Sequence, residues 1–311
     1  MADGNKNRAQ SKKPTVAQQR QSSERAAAAR VRIAKAQARR RMFVVGGAVI
    51  GVLALIGVLI IVKVATGAGG PKSGKKAVKA QSALVQQVSS VPVATLDKIG
   101  VGKARTGPSA IKAPPLTKNG KPEFLYIGAE YCPYCAAERW AVAVALSRFG
   151  TLSGVSETES ASQDVFPSTA TLSFHDATYT SDYLTLTAKE LQSNQVVNGQ
   201  YAPLDKLSKD ESATVSKYNA PPYVAQGGGI PFVDIAGKYV STGASYDPGV
   251  LKDKTHSQIA KALSDPASPI AQAVDGTANL FIAAICDATG QKPGNVCQAP
   301  GVQAAAKKLK G

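Results

Sequence analysis

Cys132-Pro133-Tyr134-Cys135 is the stretch of this 311-residue chain whose residue types and spacing can do chemistry. Two thiols two residues apart can exchange disulfides, hold a metal ion or form an inert crosslink. Two more cysteines, Cys286 and Cys297, lie far downstream. His175 and His256 are the only histidines, which limits zinc binding and imidazole catalysis. Both read as surface or loop residues.

The elements that must position the first pair are legible around it. Asn119-Gly120 is a tight-turn signal leading into the apolar run Pro122–Ala129, which reads as a buried strand. After the cysteines, an alanine-rich stretch flanked by Arg139 and Arg148, with Gly150 as a stop, reads as a helix. The pair therefore falls at a strand-to-helix junction. A helix N-terminus offers unpaired N–H groups and positive potential, so a thiolate there is stabilised below the usual pKa of about 8.5. This makes Cys132, left exposed at the tip, the expected nucleophile. Cys135 is the expected resolving thiol. Pro133 suits the first helical turn.

In this layout the sequence resembles the thioredoxin superfamily. Ala129-Glu130-Tyr131-Cys132 is similar to the Ala-Glu-Trp-Cys lead-in of thioredoxins, and Cys-Pro-Tyr-Cys is the form typical of glutaredoxins. Nothing matches a glutathione-binding segment. The resemblance implies that Ile230-Pro231, preceded by three glycines, is a cis-proline turn beside the cysteines, with Ile230 offering its backbone to substrate. Tyr131 and Tyr134 would line the rim. One departure stands out. Many thioredoxins carry a buried Asp six residues before the first cysteine; here that residue is Tyr126. Glu130 or water is then expected to move the proton. Cys132 and Pro231 are 99 residues apart, which implies a sizeable insertion within about 155–225. Residues 80–300 also resemble an uncharacterised family of membrane-anchored prokaryotic proteins, catalogued as domain of unknown function 929. Its members share Tyr-Cys-Pro-Tyr-Cys, a Gly-Gly-Ile-Pro-Phe segment and a cysteine pair near the C-terminus.

The remaining elements fill in an α/β domain over 81–311. Helices are expected at 82–90, 92–100, 207–218, 251–263 and 276–289. Residues 154–158 read as a strand, 169–175 and 182–188 as a pair of strands, and 230–240 as strand, turn, strand. Cys286 and Cys297 flank a ten-residue loop, which suits a structural disulfide. A second redox pair, or zinc held by four cysteines, are the sharper alternatives. Trp140 reads as a buried helix residue.

Charge is concentrated at the start. Residues 1–41 hold twelve of the 37 Lys and Arg and two of the 21 Asp and Glu, a local balance of +10 against a total of +16. No folded reading element accompanies this basic tail, so nucleic acid is not an expected partner. Met42–Val62 is 21 residues without a charge. As a helix it spans about 30 Å, the thickness of a bilayer core. A transmembrane helix is therefore expected over 42–64, preceding a flexible linker at 65–80. Arg39, Arg40 and Arg41 put the N-terminus in the cytoplasm and the domain outside, an oxidising location where disulfides persist. The expected function is a membrane-anchored thiol–disulfide oxidoreductase. It would act on protein thiols or disulfides with an unidentified redox partner, and needs neither cofactor nor metal. The alternative is a non-catalytic binding module with two permanent disulfides.

Overall fold

The computed structural model describes residues 82–310. The basic tail expected at 1–41, the membrane helix expected at 42–64 and the linker expected at 65–80 lie outside the described residues. Among the described residues one helix, Pro269–Ala288, is long and apolar enough to cross a bilayer, with mean hydropathy 1.3. Its apolar window is 89% buried inside the domain, so it is a core helix.

The chain opens with helices α1 (Ala83–Ser89) and α2 (Val93–Ile99), then strands β1 (Ser109–Ala110), β2 (Thr117–Lys118) and β3 (Lys121–Gly128). Helix α3 (Pro133–Leu146) follows the cysteines. Next come β4 (Gly150–Ser153), β5 (Ser156–Glu159), β6 (Ala170–Ser173), β7 (Thr178–Ser181), β8 (Thr185–Glu190), β9 (Gln192–Val197) and β10 (Gln200–Pro203). Helix α4 (Lys209–Tyr218), strands β11 (Phe232–Ile235) and β12 (Tyr239–Thr242), a 3-10 turn at Pro248–Leu251, and helices α5 (His256–Ala262), α6 (Pro269–Ala288), α7 (Gly294–Cys297) and α8 (Pro300–Lys310) complete it.

One mixed sheet organises these elements in the order β1-β12-β11-β3, with β8 on the far side of β3 and β2 paired to the start of β3. β3 runs parallel to β8 and antiparallel to β11. Its apolar run splits by alternation between two faces. Phe124 and Tyr126 join Trp140 of α3 and Phe281 of α6 in the main core. Leu125 and Ile127 pack with Phe232, Val240 and Tyr218 under α4. A strand covered on both faces needs a continuous hydrophobic run, and this one has it.

Several elements differ from the sequence reading. Residues 169–175 and 182–188 do not pair with each other. β6 pairs with β5, and β8 joins the central sheet beside β3. Gly150 is no helix stop but the first residue of β4. A Cβ there would lie 2.3 Å from Thr180 O, so glycine permits the close β4–β7 approach. The helix expected at 251–263 begins only at His256, capped by Thr255 and Gln258. α6 starts at Pro269 behind the Ser268 cap, seven residues before its expected start at 276. His256 is not a loose surface group: its Nε2 lies 2.8 Å from Thr158 O and 2.9 Å from Thr171 O, holding β5 and β6 to α5.

Cys286 and Cys297 are disulfide-bonded, with Cα atoms 5.6 Å apart. They tie the end of α6 to α7. Closing a loop of this size is worth about 3 kcal/mol. The double substitution Cys286→Ser/Cys297→Ser should lower unfolding free energy by about that amount in urea titrations; an unchanged midpoint would refute it.

The core also buries carboxyl groups. Burial pushes Asp275 on α6 up to about 8 from 3.8, and Glu138 on α3 up to about 7 from 4.5. Arg148 partly offsets the burial at Asp275, and hydrogen bonds from Ser245 do so at Glu138. Both groups hold protons more tightly folded than unfolded. Their stabilising contribution is therefore full below about pH 4 and is lost as pH rises through 7 to 8. Asp275→Asn should flatten that decline between about pH 5 and pH 9 in denaturant titrations. A parallel profile for parent and variant would contradict it.

Candidate functional site

The two cysteines occupy the turn where β3 ends and α3 begins. Cys132 is the N-cap of α3, and its sulfur accepts the Cys135 N–H at 3.2 Å. Pro133 stands at the first helical position, where a missing N–H leaves nothing unpaired. Cys132 Sγ also lies 3.7 Å from Ile230 O, within reach for an S–H donor. The Ile230-Pro231 peptide is cis, and Phe232 immediately after it opens β11. β11 pairs with β3 along Phe232–Ile235, which brings Ile230 and Pro231 back to the strand end carrying the cysteines.

Cys132 is not left exposed at the tip. It is only 5% exposed and Cys135 is fully buried. Ala129 packs on both, and Tyr131 and Ile230 cover the cluster. The segment between α3 and β11 supplies the rest of the wall. Tyr131 stacks on Tyr201 of β10 with ring centroids 4.2 Å apart, and Tyr134 meets Phe166 edge to face at 6.0 Å. Tyr131 O accepts the Ala161 N–H. Tyr134 keeps 41% of its surface exposed.

The two sulfurs differ electrostatically. A hydrogen bond from Cys135 pulls the Cys132 thiol below its ordinary value, against the opposing effect of burial; the Cys135 N–H and the charge of Arg139 add to the lowering. Burial pushes Cys135 well above its ordinary value. Cys132 therefore gives up its proton more readily than Cys135.

The charge beneath the pair comes from residues the sequence reading did not single out for the site. Arg139, taken as a helix flank, is fully buried. Its Nε and Nη2 donate to Glu190 Oε1 and Oε2, each at 2.7 Å, and Nη2 also donates to Ala129 O at 2.7 Å. Glu190 ends β8, directly beside Gly128 in the parallel ladder. Its N–H donates to Asp205 Oδ2, and Asp205 Oδ1 faces His175 Nδ1 at 3.0 Å. An arginine in the middle of an alanine-rich helix is the signal that could have pointed to a buried ion pair. No local signal marks Glu190. Glu130 sits half-buried on the loop with its N–H on Gln192 O. The charges acting on Cys135 are those of Cys132, Arg139 and Glu190.

Cys286 and Cys297 are bonded to each other, so the four cysteines do not form one metal site. Among the described residues no group of three His, Cys, Asp or Glu side chains gathers for a metal ion.

The difference between the sulfurs has a direct readout. With both thiols reduced, a small alkylating reagent at about pH 7 should modify Cys132 at least about tenfold faster than Cys135 by mass spectrometry. Equal labelling would refute the asymmetry.

No curated protein and no solved structure matches the chain. A family model described as "Domain of unknown function (DUF929)" matches residues 108–287, which takes in β3, the cysteine pair, β11 and nearly all of α6. The chain belongs to that family.

Proposed function

We propose that the protein is a membrane-anchored, extracytoplasmic thiol–disulfide oxidoreductase acting on protein cysteines through Cys132 and Cys135. The observation that carries this reading is the meeting at one point of the α3 cap sulfur and the Ile230 carbonyl, 3.7 Å apart. Cys132 forms the mixed disulfide with the partner, and Cys135, one turn deeper, resolves it. Ile230 and Pro231 border the site on the side where an extended chain would lie. Tyr131 and Tyr134 offer apolar rim contact.

The fold reading behind this is a thioredoxin-like domain. Its support is the order β12-β11-β3-β8, with β3 and β8 parallel, β11 and β12 antiparallel to their neighbours, and the cysteines between β3 and α3. On this reading β4 to β7 lie between α3 and β8, and β9, β10 and α4 between β8 and β11, as the insertion. The membrane placement rests on the uncharged run Met42–Val62 and the arginines before it.

One observation favours the alternative of a non-catalytic binding module: Cys132 is only 5% exposed. The two readings separate in a disulfide-exchange assay on a cysteine reporter. Cys132→Ser should abolish exchange, and Cys135→Ser should accumulate mixed disulfides with the reporter. Exchange at the parent rate by the Cys132→Ser protein would eliminate the mechanism. A Cys132–Cys135 potential below about −300 mV with no trapped species would favour the binding module.

A further inference from the structure

Two buried donors beneath the cysteines have no partner: Arg139 Nη1 and the Tyr126 hydroxyl. Unpartnered polar atoms at this depth call for an explanation. Their placement supplies one. Arg139 stands four residues after Cys135 on α3, so the two side chains share a helix face. Arg139 Nη2 holds Ala129 O, and Ala129 belongs to the same buried cluster as the two cysteines. The Tyr126 hydroxyl lies over Gly128; a Cβ on that glycine would come within 2.5 Å of its oxygen. Gly128 is in turn the ladder partner of Glu190. Hydroxyl, guanidinium and carboxylate thus converge on the end of β3, and the charges of Arg139 and Glu190 are felt at Cys135. Glu190 engages Nε and Nη2 of the guanidinium and leaves Nη1 as the spare donor.

We propose that Arg139 Nη1 and the Tyr126 hydroxyl form a two-donor site for the Cys135 thiolate, with Glu190 as the positioning residue that holds the guanidinium in place. The proposal rests on the exchange reading above and goes beyond it, because it assigns how the resolving sulfur ionises without a carboxylate at position 126. The groups that bear on Cys135 are Cys132 and Arg139 from α3, Glu190 from β8 and Tyr126 from β3. In the resolving step Cys135 loses its proton and its sulfur bonds to Cys132 Sγ. The bond between Cys132 Sγ and the partner sulfur breaks, and its electron pair leaves on that sulfur. The proton released by Cys135 ends on the departing thiol through water. The two cysteines are oxidised and the partner disulfide is reduced, so nothing further is required. Buried and unscreened, a thiolate gains most from donors already fixed in place.

The test uses the full chain carrying Cys132→Ser, which leaves Cys135 as the free thiol. Its alkylation by iodoacetamide is followed against pH, with mass spectrometry locating the adduct. Adding Tyr126→Phe should displace the pH midpoint upward and slow the reaction at about pH 8 by about tenfold, the scale of one hydrogen bond to an ion. Arg139→Met combined with Glu190→Met should shift it in the same direction. That pair keeps volume and leaves no uncompensated buried charge. An unmoved midpoint in either protein overturns the proposal. So does a rate scaled equally at every pH, which would report access alone. The readout needs no turnover. A displaced midpoint in a protein that exchanges no disulfides would support the donor site and reject the oxidoreductase reading.

Discussion

The fork of Arg139 onto Glu190 is the constraint around which the rest of the site is arranged. A guanidinium taken wholly out of water is tolerated only when a carboxylate meets it with good geometry and its hydrogens find further acceptors. Both parallel 2.7 Å contacts and the bond to Ala129 O meet that demand at Nε and Nη2 and leave Nη1 without a partner. The three bonds join the middle of α3, the end of β8 and the exit of β3. α3 cannot slide or rotate without breaking them, so the turn bearing Cys132 is fixed at its far side as well as at its cap. The glycine at 128 belongs to the same constraint. A side chain there would collide with the Tyr126 ring and hydroxyl, which stand between the strand end and the helix.

Depth then separates two chemically identical side chains. Cys132 lies at the helix cap, where N–H groups converge, and its cover consists of the side chains of Tyr131 and Ile230. Cys135 lies one turn in, where desolvation dominates. Opening a side-chain cover needs only rotamer motion, which is fast, whereas Cys135 has no exposed surface of its own. A 5% exposed sulfur behind aromatic rings is therefore a gated thiol, and one behind packed backbone is an internal one. The segment between α3 and β11 matters here because it carries Tyr201 and Phe166, the rings against which Tyr131 and Tyr134 rest.

Local signals made the centre of the fold legible and left its periphery obscure. The run at 122–129, the cysteine spacing and the Ile-Pro step each encode a strand, a helix start and a second strand through contacts close in sequence. The parallel pairing of β8 with β3 is not encoded locally. Residues 182–188 alternate as a hairpin partner would, and only the sheet position left beside β3 decides where they go. α6 begins ahead of its expected start because Asp275 interrupts the apolar pattern just before 276, although it is buried, as are Thr277 and Asn279. Asn279 shows why such residues are kept inside: its Nδ2 donates to Leu96 O and Gly100 O, pinning the end of α2.

The same reasoning explains why Tyr126 looked like a departure and Glu190 went unnoticed. Reading a carboxylate position by offset from a cysteine assumes that charge must sit on the strand leading into the motif. Here the charge enters from the side, on β8 and α3, and the strand contributes a phenol. A site can thus keep buried charge beneath a thiol pair while changing which elements supply it. What stays constant is electrostatic: a buried sulfur feels the charges packed near it, and here Arg139 eases the ionisation of Cys135 while Glu190 opposes it.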